Sequence, residues 1–545
     1  MATSIQQKAS EQNDPTVDTH VARRIKRGTL ANVLRQIIII GSEVALVPIL
    51  LTYWGAGLYG EWQVLSAAVI YITVLDLGTH TYAINRLNQC YATGQIDELR
   101  KNLHTALVVA LVTGTLGLMF MFSVAVFVPV NQWFNLKETS ELTTRLVLFV
   151  LAIHAALALP IAVISGVYRA VGEYARDVMI NNVYRTATCV FTALVAVLGG
   201  GILEVAEVTL FCFASALAFI LWDLHRRYPQ LAIGVRQFDR KLMMTFIVPS
   251  LLFFFIQASA TAIVQGAVLI VAAAAGAAAV AVFTTLRTLV NGIPQVVNSI
   301  SGTLWPELTA LEAKGEYRRL ADLHQLSAKI ILWLGICAGV FLHFGARDIV
   351  KLWTGSRITF DQSLIDGLLV LEVLITWSLA SQTLLAAANR PRILAICQLV
   401  GSSAGLGLGY ILAQSWGSPG VAWGLVAGYL ATTSWIIPFA ACQMVRCSMR
   451  SFLLHVLGRG LIVLAVLLAF VGYVQPMLPF QGGIVGVFFI WLATGVVGLA
   501  MLITVLTSAG ERKTLRSLMP RQIRWPLKLR RQSRRRSADL DFESA

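Results

Sequence analysis

Long apolar runs alternate with short polar breaks along almost the whole chain. A hydrocarbon core about 30 Å thick is crossed by roughly 20 apolar helical residues. Fourteen runs reach that length: about 30–53, 62–85, 103–129, 143–168, 178–199, 203–223, 243–270, 278–304, 328–350, 364–388, 393–414, 419–443, 452–474 and 482–507. The split of 243–304 is set by Val271–Ala281, a run of small residues with no polar break, and a tight turn is expected at Ala272–Ala277. The pattern predicts an all-α polytopic membrane protein of about 14 transmembrane helices.

A weak internal repeat organises these spans. Ala92-Thr93-Gly94-Gln95-Ile96-Asp97-Glu98-Leu99 echoes Ala313-Lys314-Gly315-Glu316-Tyr317-Arg318-Arg319-Leu320 at an offset of 221. Ala170 pairs with Ala387, and Gly200 with Gly417, at an offset of 217. Six spans per repeat give both halves one orientation, so the expected fold is a parallel repeat with the site between its lobes. The domains expected are a cytoplasmic segment 1–29, an N-lobe 30–224, a linker 225–242, a C-lobe 243–443, two trailing spans in 452–507 and a basic tail 508–545.

Charge fixes the orientation, since Lys and Arg stay on the cytoplasmic side. Of 43 such residues, 34 fall in the termini and alternate loops, four in the opposite loops and five inside spans. Both termini are therefore expected to be cytoplasmic. The basic tail fits anionic membrane lipids as well as a purely topological role. The net charge of +15 thus belongs to loops and tails, and nucleic acid is not an expected partner. With 57% apolar and 13% charged residues, an ordinary soluble enzyme is excluded. The seven cysteines form no pairing or metal-binding pattern, and no metal or cofactor is expected. Residues 1–27 are too polar for a signal peptide.

Ionisable groups inside spans cost about 2.5–3.5 kcal/mol each unless they meet a partner or water. Arg287 lies well inside the eighth span, with Asn291 and Asn298 within about 40° of it on a helical wheel. That stripe predicts a cavity lining. Asn181, Arg185, Thr188 and Thr192 make a second stripe in the fifth span, and Arg35, Ser42 and Glu43 stand in the first. Asp76, Glu43 and Glu372 are the buried acids, suited either to a proton or cation relay or to structural ion pairs. Gly55-Ala56-Gly57-Leu58-Tyr59-Gly60 matches a dinucleotide-binding pattern by letter but lacks the strand that motif requires. Gly401, Gly405 and Gly409 read as a close-packing face.

The stretches Leu58-Tyr59-Gly60-Glu61-Trp62, Val74-Leu75-Asp76-Leu77-Gly78, Gly94 to Leu99, and Gly417-Ser418-Pro419-Gly420-Val421-Ala422-Trp423-Gly424 together resemble the polysaccharide transporter family. That family includes O-antigen and other oligosaccharide flippases of the multidrug/oligosaccharidyl-lipid/polysaccharide exporter superfamily. The resemblance implies two six-helix lobes plus two trailing helices. It implies translocation of a polyprenyl-diphosphate-linked oligosaccharide across the bacterial inner membrane by alternating access, with a proton or sodium ion as coupling ion and polysaccharide-assembly enzymes as partners. It further implies cationic residues in the cavity on spans one and eight, where Arg35 and Arg287 stand. The drug-exporting branch carries acids in its first and seventh spans. Glu43 could mimic the first, but the seventh span here offers Gln257, Thr261 and Gln265 and no acid. The rival readings are a cation-coupled multidrug exporter and, less well supported because the outward loops are short, a membrane glycosyltransferase or polymerase.

Overall fold

The computed structural model describes residues 15–75, 79–231, 233–388, 390–477 and 483–507. Every regular element among them is helical. Uninterrupted apolar runs leave the backbone no water to bond, and a helix satisfies its own N–H and C=O groups. The first half comprises α1 (Pro15–Val74), α2 (Thr79–Ala92), α3 (Ile96–Phe127), a short α4 (Val130–Trp133), α5 (Glu141–Ala170), α6 (Tyr174–Val197) and α7 (Ile202–Arg227). The second comprises α8 (Arg240–Thr261), a π-helical turn Ala262–Gly266, α9 (Ala267–Ala275), α10 (Ala277–Val290), α11 (Gly292–Ala313), α12 (Tyr317–Thr354), α13 (Gln362–Ala387), α14 (Pro391–Trp416), α15 (Ser418–Ala431) and α16 (Thr433–Met444). The short α17 (Met449–Phe452), α18 (Arg459–Val474) and α19 (Gly483–Met501) follow.

Twelve helices among the described residues are long and apolar enough to cross a membrane. The chain is a multi-pass membrane protein. One of the twelve, Leu30–Val74, holds the first span and part of the second, joined across Gly55, whose φ of 70° breaks the helix. The fifth span lies in α6, outside the twelve, because Asp177, Asn181, Asn182 and Arg185 lower its hydropathy. The expected turn at Ala272–Ala277 is made by Gly276, at φ 82° and ψ 173°. One difference concerns the second span, read as 62–85. Helix α1 ends at Val74 and a separate helix begins at Thr79.

The repeat is written in the backbone. Left-handed residues recur at the offset of 221: Gly55 with Gly276, Gly94 with Gly315, and Asn135 with Ser356. Gly199 and Gly417 form a further pair near the second offset. Loops at equivalent places in the two halves therefore share a residue of positive φ. Glycine suits it at most of these places, because positive φ costs a side chain about 1–2 kcal/mol.

Residue contacts divide the chain into two compact units. The first holds residues up to Val296, Ala346–Ile375 and Asn389–Ile437. At one end of it Ala83, Leu87, Leu103, Leu107, Val163, Tyr168 and Leu224 bury one another. Arg100, Arg169, Arg176 and Arg227 gather at the same end, referred to below as the basic end. At the opposite end Val47, Leu50, Leu51, Tyr59, Ala196, Ala281 and Ile358 form a second core. Helices α14 and α15 meet glycine to glycine, as the small-residue face predicted. A Cβ on Gly424 would lie 2.2 Å from the Gly409 nitrogen, and one on Gly428 2.5 Å from the Gly401 carbonyl oxygen.

The second unit holds Val297–Gly345, Thr376–Ala388 and the chain from Pro438. Its core centres on His324, which shares a 3.0 Å hydrogen bond with Ser381 and stacks on Phe452 at 5.0 Å. Trp333 Nε1 donates to the Gly498 carbonyl at 2.7 Å, fastening the last apolar helix to α12.

Candidate functional site

Depth decides which polar side chains can meet. Each helical residue rises about 1.5 Å. Counted from the glycine turns at Gly55, Gly199 and Gly276, Arg287 lies about 17 Å from the opposite end, Glu43 about 18 Å and Arg185 about 21 Å. Arg287 and Glu43 stand in the middle third of a hydrocarbon core about 30 Å thick, and Arg185 at its edge. Arg35 and Asn181 lie about 30 Å and 27 Å from that end, at the basic interface.

The three mid-depth groups face one another electrically. Glu43 lies in the field of Arg185 first and of Arg287 second. No ion pair within 4 Å joins them among the described residues, and Glu43 and Arg185 are both exposed. Arg287 is half-buried. Its guanidinium donates to the Val264 carbonyl and lies 5.5 Å from the centre of the Phe283 ring. Val264 sits inside the π-helical turn Ala262–Gly266, a rare distortion that often marks functional sites. Tyr59, fully buried, stands in the field of Arg287. Gln36 and Gln295 join side chains and tie α1 to α11.

Other expected site residues fall elsewhere. Arg35 is exposed and lies in the field of Asp177, a buried acid of α6. Asn181 donates to the Asp177 carbonyl at 3.0 Å and to its carboxylate at 3.1 Å, so its amide hydrogens are engaged within its own helix. Asn291 is half-buried at the junction of α10 and α11. That junction turns the chain without leaving helical geometry: Asn291 has φ −58° and ψ −15°, and its amide donates to the Arg287 carbonyl at 2.8 Å. Ala277–Asn298 is together long and apolar enough to cross a membrane, while Asn298, exposed, falls in the second unit. Glu372 is buried in α13 with Oε1 lacking a hydrogen bond, in the field it shares with buried Tyr429 of α15. Asp76 lies outside the described residues.

Two constellations escaped the sequence reading. At the basic end, Asp223 is 2% exposed and accepts from Tyr168 at 2.8 Å, from both arms of Arg176 at 2.7 and 2.8 Å, and from Arg227 at 3.0 Å. At the opposite end, Glu61 is fully buried, and its Oε1 accepts from the backbone amides of Lys137 and Glu138. The residue before it, Gly60, lies flush against the Ala277 carbonyl. The letters Leu58 to Trp62 thus encode a junction between α1, the loop after α4 and the start of α10.

No protein-family model and no curated protein sequence matches the chain. Solved structures do. One described as the lipid II flippase MurJ in an inward closed conformation is similar with a TM-score of 0.67 at 11% identity, covering 87% of this chain and 97% of its own. An inward-facing multidrug resistance MATE family transporter of the MOP superfamily gives a TM-score of 0.64 at 15% identity, covering 77% and 98%. The MATE multidrug transporter DinF-BH gives 0.57 at 14%, covering 78% and 97%. Likeness at such identity establishes a shared fold, the all-α fold of these transporters.

Proposed function

We propose that the chain is a flippase that carries a polyprenyl-diphosphate-linked oligosaccharide, such as an O-antigen or exopolysaccharide repeat unit, across the bacterial inner membrane. The observation that carries this reading is the mid-depth charge balance: two guanidinium groups, Arg287 and Arg185, around one carboxylate, Glu43. A lipid diphosphate cannot enter hydrocarbon without its charge being met. Guanidinium groups meet phosphate oxygens with paired, directional hydrogen bonds. Arg287 is held by a backbone carbonyl and an aromatic face rather than by an acid in contact, so its charge stays available. Asn291 is placed one turn away to bond sugar hydroxyls, and Arg35, at the basic interface, would meet the diphosphate on entry.

In this reading the two six-span lobes alternate access. The core around Tyr59, Ala281 and Ile358 closes the end opposite the basic loops, and passage requires Gly60 and Ala277 to part. The buried Glu372, with one oxygen unbonded, is the best-placed acid for a coupling proton or sodium ion. The rival reading, a multidrug exporter, draws on the same fold and on Glu43, and it places control in the acid rather than in the arginines.

Reconstituted vesicles separate the two. With a defined lipid-linked oligosaccharide as cargo, Arg287→Ala is expected to lower translocation at least tenfold, while Glu43→Gln retains it. Wild-type translocation by the Arg287 variant overturns the proposal. Uptake of a cationic dye that depends on Glu43 and not on Arg287 establishes the rival.

A further inference from the structure

Helices α6 and α7 enclose a groove of about 510 Å³ that the transport cycle does not use. Its walls include Met179, Val183 and Phe191 from α6, and Phe211, Ala216 and Phe219 from α7. The α6 residues recur at helical spacing from Arg176 to Phe191, so the groove runs lengthwise for about 22 Å. That is the reach of one extended lipid chain and exceeds half of a hydrocarbon core about 30 Å thick. The floor is stiff. His154 and Tyr184 hydrogen-bond at 3.1 Å, and Phe213 packs edge-on against both rings at 4.5 and 5.7 Å. The rim is open to the surroundings of the protein, with Val183 66% and Phe211 69% exposed.

Polarity is confined to one end. Arg176 lines the mouth, and the α7 wall 212–215–216–219 continues at the same spacing to Trp222 and Arg226. The Arg226 guanidinium lies 5.5 Å from the centre of the exposed Trp222 ring, and no acid pairs with it among the described residues. Arg176 and Arg227 share Asp223 and Glu173, so the mouth carries three guanidinium groups against two carboxylates. An apolar slot of chain length, ending at an interfacial tryptophan and an unpaired arginine, matches an anionic lipid in both halves.

We propose that this groove binds an anionic phospholipid of the surrounding membrane, one acyl chain lying between α6 and α7 and the phosphate meeting Arg226. The site does not depend on the cargo. Because α6 also carries Arg185, a lipid seated there fixes the helix that presents a mid-depth guanidinium.

The test uses the full chain in detergent, with phosphatidylglycerol, phosphatidylcholine and a polyprenyl phosphate as separate probes. Native mass spectrometry is expected to show phosphatidylglycerol retained at least fivefold over phosphatidylcholine. Arg226→Ala should abolish that preference, and Ala216→Trp, which fills the slot, should cut retention about tenfold. Phosphatidylglycerol bearing a photoreactive acyl chain provides a readout on the unaltered protein: its cross-links should map to 179–191 and 211–219. Equal retention of the two phospholipids, or cross-links scattered over other helices, overturns the site. Polyprenyl phosphate displacing phosphatidylglycerol at equal concentration overturns the occupant.

Discussion

Gly60 lies directly against the main chain of Ala277: a methyl group on Gly60 would stand 1.8 Å from the Ala277 carbonyl oxygen. No rotamer change relieves such a clash, because the obstacle is backbone. Gly60→Ala must therefore push α1 and α10 apart at the end where the unit is closed. Overpacking of this kind costs about 1–3 kcal/mol, occasionally more. Thermal unfolding in detergent should show a clear drop in Tm. Gly292→Ala, where a Cβ meets nothing within 4 Å, should leave the Tm unchanged.

Asp223 is the keystone of the basic end. Asp223→Asn leaves Arg176 and Arg227 only the more distant Glu173, at 4.0 and 3.7 Å. Removing one partner of a buried pair costs about 3–5 kcal/mol. Here the arginine side chains are 32% and 44% exposed and water screens them, so a loss on the order of 2 kcal/mol is expected. Tyr168→Phe removes a single hydrogen bond and should cost about 1 kcal/mol. A double-mutant cycle between Asp223 and Arg176 should return a coupling well above that between Asp97 and Arg100, an exposed pair at 3.3 Å.

Glu61 acts through one oxygen on two backbone amides. Glu61→Gln keeps an acceptor but loses the charge that strengthens both bonds. Glu61→Ala loses both. Hydrogen exchange at Lys137 and Glu138 should accelerate modestly in the first variant and on the order of tenfold or more in the second. Unchanged protection in Glu61→Ala would show that the loop is held by something else.

If the two guanidiniums grip one diphosphate as proposed, Arg185→Gln and Arg287→Gln are each expected to weaken binding of a diphosphate-bearing cargo and to combine non-additively. Glu43→Gln removes the carboxylate that stands in the field of both and should tighten binding of an anion a few-fold. Equilibrium binding of a polyprenyl diphosphate to the detergent-solubilised chain measures each variant against the wild type. Weaker binding by Glu43→Gln would contradict the charge argument.

Much of this molecule is legible from letters alone, for a reason particular to membranes. Apolar runs report spans directly, because no water competes for the backbone. The small-residue spacing of Gly401, Gly405 and Gly409 announced a tight helix contact before any partner was known. Arg287 stood out because the residues around it in sequence are largely apolar. What stayed hidden depends on pairs distant in the chain. Asp223 reads as an ordinary end-of-helix acid until Arg176, 47 residues away, is brought onto it. Glu61 reads as a loop charge until Lys137 folds back across 76 residues. The turn at Asn291, where α10 gives way to α11, is likewise invisible to a wheel drawn on an unbroken helix.

The π-helical turn under Arg287 has a consequence for selectivity. A guanidinium seated on Val264's neutral oxygen is orientated without being neutralised. An acid in the same place would have quenched the attraction and let uncharged molecules in on equal terms. In the proposed cycle, that guanidinium leaves a positive charge open to an incoming anion, which a cationic or neutral visitor does not match.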